Sequence, residues 1–219
     1  MPRYMGQSAA EKLGKLAGLE PEDRDVVAYG LEYLLTGCIG AALTLITGFF
    51  LGMFLETLAV LICWGLLRLF AGGAHCSTFW RCIIFSYAGI MAAVFLARGI
   101  YSLMPAVSWV LLSTSWAFMA VWLWAPTNRE KPVNDPKRRR QMRRRALFLV
   151  LFAGLTLTGL TWNVVGMGHL QAVAVAGAAG LSFSAFMLSP AGFFLTDLWD
   201  KICIRLKSCS KLKRKGVNL

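Results

Sequence analysis

Residues 53–82 read MFLETLAVLICWGLLRLFAGGAHCSTFWRC. From Met53 to Phe70 the run is apolar but for Glu56, Thr57 and Arg68. It is close to the roughly 20 residues a helix needs to cross hydrocarbon. A break follows at Gly72-Gly73, and a second apolar run begins at Cys82. The edge between the two runs holds an arginine, the glycine pair, one of only two histidines, and Cys76 and Cys82. Cysteine beside histidine suggests a thiolate nucleophile with its base. The glycines suggest backbone that must bend or let a substrate approach closely.

The same alternation of apolar run and break extends along the chain. Of 219 residues, 57% are hydrophobic and only 16% charged. That balance fits a membrane protein and not a water-soluble domain. Six spans are expected, at Val26–Phe50, Met53–Phe70, Cys82–Tyr101, Leu103–Trp124, Ala146–Val165 and His169–Leu188. None alternates apolar and polar residues, so strands are not expected. The predicted fold class is all-α, a polytopic membrane helix bundle of about six transmembrane helices, with 1–219 as a single integral-membrane domain. Within it, 1–25 is read as an N-terminal interfacial helix, 26–195 as the bundle and 196–219 as a basic cytoplasmic tail.

Charge orients the spans. Of 23 Lys and Arg residues, all but Arg98 fall in the two terminal segments, beside the break between spans two and three, or between spans four and five. Positive charge gathers on the cytoplasmic side, so both termini and both of those loops are expected there. The net charge of +12 then reflects loops facing an anionic leaflet, and anionic lipid is an expected partner. Nucleic acid is not, because the basic residues follow the loops and lack an aromatic single-strand platform. Leu13, Leu16 and Leu19 recur at helical spacing, which reads as an interfacial amphipathic helix or a short solvated one. In the tail, Ile202, Ile204 and Leu206 alternate with basic residues, as an interfacial segment would. The small residues Ala172, Ala174, Ala176–Gly180 in span six allow close helix approach, within the bundle or in a homodimer. The six cysteines, at 38, 63, 76, 82, 203 and 209, lack the spacing of a four-ligand zinc site, and no metal or cofactor is implied.

His75 and Cys82 are seven residues apart. On a straight helix they share a face but lie about 10 Å apart along the axis. A thiol and its base must approach to about 3 Å. The segment must therefore loop back, or Cys82 must start a helix packed beside His75. At a helix N-terminus the Cys82 thiolate would also be favoured by the dipole. Cys76 competes as nucleophile, but it adjoins His75, and sequence neighbours on a helix point apart. Cys82 is preferred.

The pattern Arg68-x3-Gly72-Gly73-x-His75-x6-Cys82 resembles the accessory gene regulator B family of bacterial quorum-sensing endopeptidases. Phe79-Trp80, Ala125-Pro126 and Lys131-Pro132-Val133 resemble it too. The resemblance implies a cysteine endopeptidase of the bacterial cell membrane with its active site on the cytoplasmic side. Such enzymes cut the C-terminal tail from a small peptide precursor and cyclise the retained peptide to a thiolactone or lactone. By the same resemblance Cys82 is the nucleophile and His75 the general base, and Arg68, Gly72 and Gly73 fall on supporting positions. Glu32 falls where family members carry Gln or Glu. It either orients His75, pairs with Arg68, or is a polar group satisfied by its neighbours. Lys137, Arg138, Arg139, Arg140, Arg143, Arg144 and Arg145 would hold the precursor's acidic tail, or serve as a topogenic cluster on anionic lipid. The competing classes are a non-enzymatic peptide exporter and a membrane scaffold. Neither would need the His75–Cys82 spacing.

Overall fold

In hydrocarbon every backbone N–H and C=O must find its partner within the segment, so long apolar runs become helices. The computed structural model describes residues 21–127, 135–162 and 168–214; within that range, the side chains of 21–26, 28–30, 32, 33 and 206–214 are not described. Seven helices follow in order: α1 Pro21–Phe50, α2 Phe54–Ala71, α3 Phe79–Tyr101, α4 Ala106–Trp124, α5 Pro136–Trp162, α6 Gly168–Leu188 and α7 Pro190–Arg214. No strand occurs among the described residues. Five helices, α2 to α6, are long and apolar enough to cross a membrane, while α1 carries a shorter apolar stretch, Leu34–Phe50. The chain is thus a multi-pass membrane protein. The expected amphipathic segment around Leu13–Leu19 lies outside the described residues.

Three helix ends differ from the sequence expectation. α3 begins at Phe79, three residues before Cys82. α5 begins at Pro136, so Lys137–Arg145 is helix and not loop. The cause is a start signal in the sequence itself: proline suits the first helical position, and the Asp135 carboxylate accepts the Lys137 N–H at 2.9 Å. The tail is also helical, from Pro190 to Arg214, and Ile202 and Ile204 lie on that helix.

α6 is the axis of the bundle. Every residue from Ala174 to Leu181 is buried, and the helix packs against α2, α3, α4, α5 and α7. Its small residues serve this packing: a Cβ on Gly180 would stand 2.6 Å from the Val60 carbonyl oxygen, and one on Gly177 2.8 Å from Leu157 Cδ2. Large apolar side chains such as Phe50, Leu103, Phe148 and Leu155 are exposed on the outside, where lipid replaces water as the solvent. One end of the bundle gathers the C-termini of α2, α4 and α6 and the N-termini of α3, α5 and α7.

Gly180→Ala should destabilise the protein by about 1–3 kcal/mol, because the clash is with α2 backbone that cannot swing aside. Gly159→Ala on α5, where a Cβ meets nothing within 4 Å, should be neutral or better. Thermal unfolding of both variants in detergent checks this. Equal melting of Gly180→Ala and wild type would contradict the close α2–α6 approach.

Candidate active site

The site is built on the chain break between α2 and α3. α2 stops at Ala71 because Gly72 takes φ +77° and Gly73 φ +136°, both in the region that favours glycine. The Gly72 N–H still closes on the Arg68 carbonyl at 3.0 Å. From there the strand of backbone is held by neighbours distant in sequence. Gly73 N–H donates to the Thr127 carbonyl at 2.9 Å, Thr127 N–H to Ala71 at 3.0 Å, and Ala74 N–H to the Met187 carbonyl at 3.0 Å. Ala74, Met187 and Phe193 form a small apolar cluster beneath the turn. The chain after α4 is itself held, since Arg143 Nε donates to the Ala125 carbonyl at 2.8 Å.

This turn brings the two expected reactive groups together. Cys82 lies in the first turn of α3 and its N–H closes on Thr78 at 3.0 Å. Its Sγ is 4.0 Å from His75 Nδ1. Hydrogen bonds of a catalytic pair are often long in the absence of substrate. The N–H groups of Phe79, Trp80 and Arg81, at the start of α3, have no acceptor within the helix and present positive dipole beside the sulphur.

Arg68, on the last turn of α2, is buried beneath the pair. Its Nη2 donates to the Ala74 carbonyl at 2.5 Å and stands 3.2 Å and 3.3 Å from Nδ1 and Nε2 of His75. The guanidinium lies 5.2 Å from the centroid of the Trp64 ring, a cation–π contact that eases its burial. Cys76 is buried, and the neighbouring Cys82 together with burial pushes its thiol above the usual thiol range.

The remaining expected residues are placed as follows. Glu32 is on α1, with its side chain outside the described residues. Lys137, Arg138, Arg139 and Arg140 are exposed on the first turns of α5, as are Arg144 and Arg145, whereas Arg143 is half-buried on its bond to Ala125. Arg129 and Lys131-Pro132-Val133 lie outside the described residues. Sequence reasoning missed Asp200 of α7, which accepts the Ser77 N–H at 2.7 Å and pairs with Arg81 at 3.2 Å. Its one signal was an acidic residue, with Asp197, in an otherwise basic tail. Among the described residues no three His, Cys, Asp or Glu side chains converge as a metal site requires.

A groove of about 990 Å³ opens between α1, α2 and α3 onto His75 and Cys82. Its walls are mostly apolar, with Thr44, Leu61, Trp64, Ser86 and Tyr87 among them. Such a groove can seat an apolar peptide segment with one of its carbonyls at the sulphur.

The fold and site define a multi-pass helical membrane protein with a cysteine–histidine pair at one end of its bundle. Residues 7–188 match the family described as Accessory gene regulator B, and the chain belongs to that family. It is similar to an AgrB-like protein, so named by resemblance, of Listeria welshimeri serovar 6b, at 28% identity over 136 residues, 61% of this chain and 63% of that one. A second, of Listeria innocua serovar 6a, is 26% identical over the same shares. The chain thus spans 63% of the length of these curated relatives. No solved structure matches it.

Arg68→Lys should slow alkylation of Cys82 by iodoacetamide several-fold, because a lysine lacks the planar fork that bridges Ala74, His75 and Trp64. Gly73→Ala should do the same, its Cβ meeting Arg68 Nη1 at 3.3 Å at a strained φ. Peptide mass spectrometry of the protein in vesicles gives the rate at Cys82. Wild-type rates in both variants would remove Arg68 from the site.

Proposed function

We propose that this protein is an integral-membrane cysteine endopeptidase that processes an autoinducing-peptide precursor for quorum sensing. It removes the precursor's C-terminal tail and cyclises the remaining peptide to a thiolactone or lactone. The observation that carries the reading is the 4.0 Å approach of His75 Nδ1 to Cys82 Sγ on the first turn of α3, in a chain of the accessory gene regulator B family.

In this mechanism the Cys82 sulphur attacks the carbonyl carbon of the scissile peptide bond and His75 takes the thiol proton. The oxyanion forms beside the free N–H groups at the start of α3. The C–N bond breaks, His75 returns the proton to the leaving amine, and the tail departs. The retained peptide is then a thioester on Cys82. An internal thiol or hydroxyl of the peptide attacks that thioester, its proton passes through His75 to the Cys82 sulphur, and the ring is released. A thioester is higher in free energy than the amide it replaces, so departure of the tail or removal of the ring must draw the reaction forward. The apolar groove keeps water from the acyl-enzyme until the internal nucleophile arrives. Arg68 and the glycine turn hold His75 in place.

We assign the exposed cations of α5 to the acidic tail of the precursor, with anionic lipid as a further partner, and place this end of the bundle in the cytoplasm.

Cys82→Ala and His75→Ala should each abolish cleavage, while Cys76→Ala keeps most of it. The check is mass spectrometry of a precursor peptide mixed with protein in vesicles of known orientation. Cleavage of added precursor should occur only where the site end faces outward, in inverted vesicles. Activity in Cys82→Ala would sink the assignment; a peptide exporter or scaffold would yield no cleaved product from any variant.

Replacing Arg138, Arg139 and Arg140 together with Gln should raise KM and leave kcat nearly unchanged, the signature of binding that is equal in ground and transition states. Because these charges are exposed, wild-type KM should itself rise with salt, screening acting over about 8 Å at physiological ionic strength. A KM indifferent to both changes would leave the cations with lipid alone.

A further inference from the structure

The segment from His75 to Cys82 reaches its folded-back shape under restraint from three helices. α2 contributes Arg68 on the Ala74 carbonyl, and α6 contributes the Met187 carbonyl on Ala74 N–H. The third restraint is the carboxylate of Asp200 on α7. Its Oδ2 accepts the Ser77 N–H at 2.7 Å, and its Oδ1 meets Arg81 Nη1 at 3.2 Å. Arg81 Nη1 also donates to Ser77 Oγ at 3.2 Å. Ser77 lies two residues after His75, and Arg81 directly precedes Cys82. One carboxylate therefore grips the turn near both reactive groups. The Arg81 and Asp200 side chains are only 17% and 16% exposed, so the pair is less screened than a surface salt bridge. Trp199, next to Asp200, packs on Phe85 of α3 with ring centroids 6.2 Å apart, which holds α7 in register. Of these residues, Trp199 and Asp200 lie beyond residues 7–188, the stretch matched to the family.

We propose that Asp200 is a positioning residue that sets the His75–Cys82 separation by holding Ser77 and Arg81 together. This rests on the reading of Cys82 as nucleophile and His75 as its base. The charged and titratable groups around the pair are Arg68 from α2, Cys76 from the turn, Arg81 from α3 and Asp200 from α7. A carboxylate acting through charge alone would oppose ionisation of a nearby thiol, so its loss would speed alkylation. Loss of the grip slows it. The two roles have opposite signs.

The test is the rate of iodoacetamide alkylation at Cys82 in the full chain in lipid vesicles, followed across pH by peptide mass spectrometry. Asp200→Ala should slow the reaction about tenfold, the scale of a misplaced reacting group, with a pH profile resembling that of His75→Ala. Asp200→Asn, which still accepts from Ser77 N–H, should fall between Asp200→Ala and wild type, and Asp200→Glu should recover part of the rate. Arg81→Gln added to Asp200→Ala should cost little more, since both sever one contact. If Asp200→Ala also exposes the buried Cys63 to reagent, it has loosened the bundle, and Asp200→Asn decides. A rate at or above wild type in the deciding variant overturns the proposal. If His75→Ala slows Cys82 while the deciding variant does not, positioning fails alone. If His75→Ala also reacts like wild type, the nucleophile–base reading fails and the proposal with it.

Discussion

Everything at the reactive end of this protein depends on the backbone turn at Gly72-Gly73 and the carbonyls that receive it. A helix continuing from α2 would carry His75 and Cys82 two turns apart, out of reach of one another. The left-handed glycines end it, and the hydrogen bonds to Thr127 and Met187 fix where the chain goes next. Those acceptors come from the ends of α4 and α6, so the turn is correct only when four helices are already packed. The buried glycines and alanines of α6 are thus part of the site's construction: they let α2 come close enough for the turn to meet Met187.

The electrostatics follow from the same packing. Arg68 is charged and buried near the membrane boundary, which is costly unless every donor finds use. Its Nη2 meets the Ala74 carbonyl and the His75 ring, and the Trp64 face lies against the guanidinium. The arginine in turn holds the imidazole where the first turn of α3 delivers the Cys82 sulphur. Cys76 is buried beside the pair, its thiol pushed up by Cys82 and by burial. The groove between α1, α2 and α3 gives the pair an apolar approach, which suits the proposed reaction, whose acyl intermediate must outlast the competition from water.

Two regions that read as accessory in the sequence are structural parts of this end. The basic stretch 137–145 is the first turns of α5, and Arg143 there braces Ala125 and so the strand that receives Gly73. α7 crosses beneath the turn with Phe193 against Ala74 and Met187, and with Asp200 on Ser77 and Arg81. The cations that remain exposed, Lys137 to Arg140 with Arg144 and Arg145, are free to meet an acidic partner or lipid headgroups.

The amino-acid sequence by itself determined the helical class and the approximate positions of the five helices long and apolar enough to cross a membrane, while the first of its six expected spans carries only the shorter apolar stretch Leu34–Phe50. Hydrocarbon leaves an apolar run of that length no other way to satisfy its backbone, and this constraint is local. It also displayed the Arg68–Gly–Gly–His75–Cys82 pattern, and its spacing meant that a His75–Cys82 pair needs either a segment that loops back or a helix starting at Cys82 beside His75. The Asp135-Pro136 start of α5 was legible but masked by the charge that follows it. What only the tertiary structure decided was how the two are brought together: which carbonyls receive the turn, that Cys76 is buried, and that Asp200, 123 residues from Ser77, closes on it. Such contacts are set by which helix ends lie side by side, and no periodicity along the chain carries that information.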